Sequence, residues 1–138
     1  MSAIHVVHIS VFIDRRPAEV YAFASDPRNL PRWAAGLARS QVRPEGEEWV
    51  ADSPMGQVRI RFVPDKPHGA LDHEVILESG VTVHNPMRVV RNGSGSEFIF
   101  TLFRQPDMSD EKLAEDSAAV EKDLSTLKEI LEHRKTPR

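Results

Sequence analysis

Apolar and polar residues alternate in short runs from Ile4 to Arg104, and from Ser109 the period lengthens to that of a helix. Ile4–Asp14 predicts a first strand, with Ile9, Val11 and Ile13 on one face and Ser10 and Asp14 on the other. Pro17 then opens a short helix carrying Val20, Phe23 and Ala24, and Asp26-Pro27 breaks it. A second helical segment, around Arg28 to Ala34, brings Leu30 and Trp33 inward before Gly36. Short strands follow at Ser40–Arg43 and Glu48–Ser53, around a Pro44-Glu45-Gly46 turn. Pro54-Met55-Gly56 leads into Gln57–Val63, where Val58, Ile60 and Phe62 face one way and Arg59 and Arg61 the other. That alternation marks a sheet wet on one side. After a turn at Pro64–Gly69, strands are expected at Leu71–Leu77, Val81–Arg91 and Ser96–Arg104.

Two connections fix a register between them. A three-residue loop Glu78-Ser79-Gly80, with Gly80 left-handed, pairs Leu77 with Val81, Val75 with Val83, His73 with Asn85 and Leu71 with Met87. A four-residue loop Asn92-Gly93-Ser94-Gly95 pairs Val89 with Phe98, Met87 with Phe100 and Asn85 with Leu102. The same face stays apolar across all three strands, and a one-residue slip would destroy it.

Ser109–Arg134 reads as one amphipathic helix roughly 37 Å long. Leu113, Ser117, Val120, Leu124, Leu127 and Leu131 recur at steps of three and four. Ser109 is a good N-cap, with Asp110 and Glu111 in the first turn. Arg134 and Lys135 suit the negative end of the dipole, and Pro137 stops the helix. The expected architecture is α+β: a curved antiparallel sheet of about seven strands, two short helices after the first strand, and a long C-terminal helix across the apolar face. A cavity between sheet and helix is expected where the stripe is thinnest, at Ser117 with Ala114 and Ala118 beside it.

Composition narrows the function classes. The 138 residues suit a single domain, spanning 1–138. The absence of cysteine excludes disulfides and thiolate metal sites. A net charge of −3 with both signs interspersed gives no nucleic-acid footprint. No apolar run approaches membrane-spanning length and no secretory leader is evident, so a cytoplasmic location without membrane insertion is expected.

Three stretches carry a resemblance. Val11–Phe23, a strand running into Pro17-Ala18-Glu19-Val20, looks like the opening of the START-related (SRPBCC) superfamily, the helix-grip fold of the birch pollen allergens. Asp26-Pro27-Arg28-Asn29-Leu30-Pro31-Arg32-Trp33 is similar to its second helix, which typically ends in tryptophan. Asp123-Leu124-Ser125-Thr126-Leu127-Lys128 resembles the Asp-Leu-x-x-Leu-Lys pattern of its gripping helix. Members include lipid carriers, hormone receptors, polyketide cyclases and chaperone activators, so the resemblance implies a fold more firmly than an activity.

His73 and Asn85 stand out as polar residues opposite each other on the inward face, among Leu71, Val75, Val83 and Met87. An unpartnered buried polar group costs about 1–3 kcal/mol, so the two are expected to bond to each other, to water or to a ligand. Three readings stay open: a hydrogen-bonded core pair, a polar anchor in a cavity, and an imidazole general acid or base. Asn85 also precedes Pro86, where a kink is expected. Trp33, Trp49, Tyr21, Phe62 and Phe100 could line a pocket, although core packing is the plainer account of Phe62 and Phe100. In the family the short helices frame the cavity mouth, which implies a rim position for Trp33 and Tyr21. Trp49 could face either way. His5 and His8 point to opposite faces, His84 points outward and His68 lies in a turn, so no metal site is expected. Arg59, Arg61 and Arg88 should be solvated, and Asp72 and Glu74 should face away from the cavity. With no phosphate loop and no dinucleotide fingerprint, no cofactor is expected.

The function expected first is binding of a small hydrophobic molecule between the sheet and the long helix, with His73, Asn85, Trp33, Tyr21, Trp49 and Phe100 as ligand contacts. The alternatives are a cyclase- or dehydratase-like enzyme using His73, and a chaperone- or ribosome-associated interaction module. Neither catalytic residues nor an oligomeric state follow from the sequence.

Overall fold

Alternation and turn chemistry produce eight antiparallel strands and three α-helices in the computed structural model, which describes residues 3–35, 38, 41–54, 56–62 and 69–134. The order is β1 (Val6–Ile13), α1 (Pro17–Ala24), a 3₁₀ turn (Pro27–Asn29), α2 (Leu30–Trp33), β2 (Arg43–Glu45), β3 (Glu48–Ser53), β4 (Gly56–Phe62), β5 (His73–Ile76), β6 (Thr82–Asn85), β7 (Met87–Asn92), β8 (Gly95–Phe103) and α3 (Asp110–Glu132). β1, β8 and β7 form one sheet, and β2 to β6 form a second in sequence order. The expectations for Gly36, Ser40, Met55, Val63, most of the Pro64–Gly69 turn with His68, Lys135 and Pro137 lie outside the described residues.

The predicted register is present. His73 faces Asn85, Val75 faces Val83, Met87 faces Phe100 and Val89 faces Phe98. Gly80 takes φ +89° in the three-residue loop, with Leu77 N–H donating to the Val81 carbonyl at 2.9 Å. The next hairpin is tighter than expected. Asn92 pairs with Gly95, leaving only Gly93 and Ser94 in the loop, with Gly93 left-handed at φ +60°.

The expected Val81–Arg91 strand is instead two strands in different sheets. Pro86 has no N–H to give to a ladder, so β6 ends before it against β5, and β7 starts after it against β8. The Asn85–Leu102 pairing is therefore not part of the ladder, and the strand count among the described residues rises to eight. Three contacts close the seam: Leu71 N–H donates to the Met87 carbonyl (2.9 Å), Met87 N–H to Asp72 Oδ1 (3.1 Å), and Thr101 N–H to the Pro86 carbonyl (3.0 Å). Gly69 passes so close to β7 that a Cβ would lie 2.2 Å from the Val89 carbonyl oxygen. β2 begins only at Arg43, the last residue of the expected strand. It includes Pro44, opposite Trp49, and the turn falls on Gly46 and Glu47, because an edge strand tolerates proline on its unpaired side.

α3 packs against β1, β8 and α2. Ser109 caps it through Oγ, which accepts from Lys112 N–H at 3.0 Å. Leu113, Leu124, Leu127 and Leu131 are buried, each contributing about 1.5–3 kcal/mol of apolar burial. The other end differs from expectation. The last turn carries no basic residue, and Arg15, just after β1, donates to the carbonyls of Glu132 (2.6 Å) and Arg134 (3.1 Å). A cation from the opposite end of the chain thus satisfies the helix terminus.

Candidate functional site

Inward-pointing positions of β3, β4, β5, β6 and β8 build one apolar wall. Trp49 pairs with the fully buried Ile60, which places its ring on the inner face, and Phe62 pairs with His73. Phe100 sits between Met87 and Ile9 on the neighbouring strands. Trp49, Phe62, Val83 and Phe100 pack on the core yet stay half-buried, as do Tyr21 of α1 and Val120 of α3. By contrast, Ile60, Leu71, Val75, Met87 and Phe98 on the same inner surface are closed off. Val83 and Val120 thus join the candidate lining. Their faces follow from the sequence pattern, but their partial exposure depends on how far α3 stands from the sheet.

His73 lies at the bottom of this wall, only 2% exposed. Its Nδ1 is 3.3 Å from the Leu71 carbonyl and its Nε2 is 3.4 Å from Asn85 Nδ2. Those partners select the tautomer with hydrogen on Nδ1, which donates to Leu71, while Nε2 accepts from the Asn85 amide. The Phe62 ring lies 5.2 Å from the imidazole, tilted by 34°. A histidine held between a carbonyl, an amide and an aromatic face is a fixed polar point in an apolar wall.

Trp33 sits deeper than a rim. It is 3% exposed and packs edge-on to Phe98 at 5.8 Å, with no partner for its indole N–H among the described residues. The small residues of α3 also divide. Ala114 and Ala118 face solvent, and Ser117 is half-buried, so only Ser117 of the three narrows the helix on its packed side.

The opposite face of the sheet is charged and self-neutralising. Arg59 pairs with Glu45 and Glu48, Arg61 with Glu74 and Glu48, and Arg88 with Asp72. These arginines are therefore partnered across strands rather than merely solvated, and their acidic neighbours raise the guanidinium pKa of Arg59 and Arg61 further. Asp72 and Glu74 are spent here, away from the inner wall. His84 stacks on Phe103, and His8 bonds to the Thr101 hydroxyl at 3.1 Å. Among the described residues no group of three or more His, Cys, Asp or Glu could hold a metal ion. Among the described residues, no helix is long and apolar enough to cross a membrane.

Comparison with known proteins agrees with this architecture. XoxI of Bacillus cereus superposes with a TM-score of 0.72 at 16% identity, over 95% of this chain and 100% of that one. DynU16, from the dynemicin biosynthetic locus, gives 0.71 at 17% identity, over 93% of this chain and 47% of that one. Ara h 8.0201 gives 0.65 at 11% identity, over 94% and 98% of the two chains. At such identities the likeness establishes the helix-grip fold. No curated protein matches the chain. The family described as polyketide cyclase / dehydrase and lipid transport matches residues 5–132, nearly the full length. The chain belongs to that family, within the START-related helix-grip superfamily.

Proposed function

We propose that this protein binds a small, largely apolar molecule against the inner wall of the sheet, with the His73–Asn85 pair as its polar anchor. The supporting observation is the contrast along that wall. Trp49, Phe62, Val83, Phe100, Tyr21 and Val120 keep partial solvent access, Phe62 against a fixed imidazole, while their neighbours are sealed. Each buried methylene of a ligand contributes about 0.8 kcal/mol, so ten of them suffice for micromolar affinity without a charged partner. The family name covers both lipid transport and cyclase chemistry. Binding is preferred because both imidazole nitrogens are already engaged, and proton transfer would first require Asn85 or Leu71 to give way.

The test is a fluorescence titration with anilinonaphthalene sulfonate. The wild type is expected to bind it in the micromolar range, and His73→Ala to bind about five- to tenfold more weakly, because the Asn85 amide loses the acceptor that holds it in place, while circular dichroism stays native. A lower melting temperature with unchanged affinity would contradict the anchor. Turnover of an aromatic polyketide that disappears in His73→Ala while binding survives would favour the cyclase reading instead.

A further inference from the structure

β1 is the edge of its sheet, hydrogen-bonded to β8 on one side only. At its end the free side is closed by α3: Lys128 Nζ donates to the Phe12 carbonyl (2.7 Å) and Glu132 accepts from Asp14 N–H (2.8 Å). Backbone groups alternate sides along a strand, so those of His8 and Ser10 point off the same edge as those of Phe12 and Asp14. Among the described residues, nothing partners them. They open beside a groove of about 390 Å³ between Val7–Val11 and Glu121, Leu124 and Ser125 of α3. An unblocked edge of this kind selects another strand, because only a strand offers matching N–H and C=O groups.

The outer face of β1 indicates which strand. Ile4, just before β1, is 62% exposed, and Phe12 is 40% exposed. We propose that β1 pairs antiparallel with β1 of a second copy, about a twofold axis at His8. His8 then meets His8, Ser10 meets Val6, and Phe12 covers Ile4 of the other copy at both ends. The ladder spans Val6–Ser10, the stretch that Lys128 and Glu132 leave open, and Phe12 and Ile4 meet through side chains alone. A twofold one residue further along would set Ile4 against Asp14 and leave it uncovered. Charge agrees with this pairing. α3 runs in the direction of β1, since Lys128 lies at Phe12 and Glu132 at Asp14. The exposed Glu111 in the first turn of one α3 therefore lies at the same end of the pair as the exposed Arg134 of the other, while Asp110 is held by Arg104 and Lys128 by Glu132 within each copy. The result is one continuous sheet across two copies, an isologous interface.

Sedimentation velocity tests this. At roughly 500 μM, suited to an interface at the small end of the range, the wild type should sediment at twice the 15.6 kDa chain mass and dissociate on dilution. Ser10→Pro removes an N–H that points off the edge and leaves the β8 ladder intact, so it should be monomeric with a native circular dichroism spectrum. If Ser10→Pro fails to fold, Ile4→Lys decides: it lies outside the ladder and should weaken dimerisation at least tenfold. A wild type that stays monomeric at that concentration overturns the proposal, and so does dimerisation unchanged in Ile4→Lys or in a folded Ser10→Pro.

Discussion

His73 is the residue on which the chemistry turns, and its setting is specific. A carbonyl fixes Nδ1, an amide fixes Nε2, and an aromatic ring covers one face. The sequence reading reaches this pair because strand register places His73 opposite Asn85. It does not reach Trp33 in the same way. Helical spacing turns Trp33 inward, but its depth is set by Phe98, a partner far away in sequence. A different residue gives a pH prediction. Glu132 accepts from Lys128 Nζ (2.8 Å) and from Asp14 N–H (2.8 Å), and the lysine above all holds its carboxyl below the usual carboxylate range. A depressed carboxylate adds stability above the unfolded-state pKa and loses it as pH falls through the folded one. Glu132→Gln should therefore cost about 0.3–1 kcal/mol at neutral pH, the range of a screened surface pair, measured by urea unfolding. The gap to wild type should close in acid, below the ordinary carboxylate pKa. A gap that persists there would mean that charge is not the cause.

Among the elements, α3 was the most legible from sequence. Its leucines repeat at strict helical spacing, Ser109 stands where a cap is needed, and both features are present in the fold. Ser109→Ala should cost about 1 kcal/mol by removing the acceptor for Lys112 N–H, a fall in urea midpoint that Ser109→Asp should recover. Its C-terminus was less legible, because Arg15 arrives from the other end of the chain and no local pattern announces it. The β-strands divide in the same way. Register between β5 and β6 and between β7 and β8 follows from side-chain alternation. The seam at Pro86 does not, since a lost N–H can kink one strand or split it between two sheets, and tertiary contacts such as Asp72 to Met87 decide. Pro44 misled in the opposite sense. A residue that reads as a turn sits in an edge strand whose partner, β3, needs nothing from its nitrogen.

For the whole molecule, the fold is a charged outer face, an apolar inner wall and a helix that grips from one side. The outer ion pairs between Arg59, Arg61, Arg88 and their carboxylates keep charge off the wall. α3 approaches β1 and β8 and leaves Trp49, Phe62 and Val83 of the other sheet half-buried. That offset is a property of curvature and helix placement, which no stretch of sequence encodes alone, and the ligand reading depends on it. The most direct measurement is chemical-shift mapping of isotope-labelled protein titrated with anilinonaphthalene sulfonate. Perturbations are expected at the Trp49 indole, Phe62, Val83, Phe100, Val120 and the His73 imidazole, with Arg61 and Val90 on the outer face unmoved. Shifts confined to the outer face or to the β1–α3 groove, or none at saturating probe, would contradict the ligand reading.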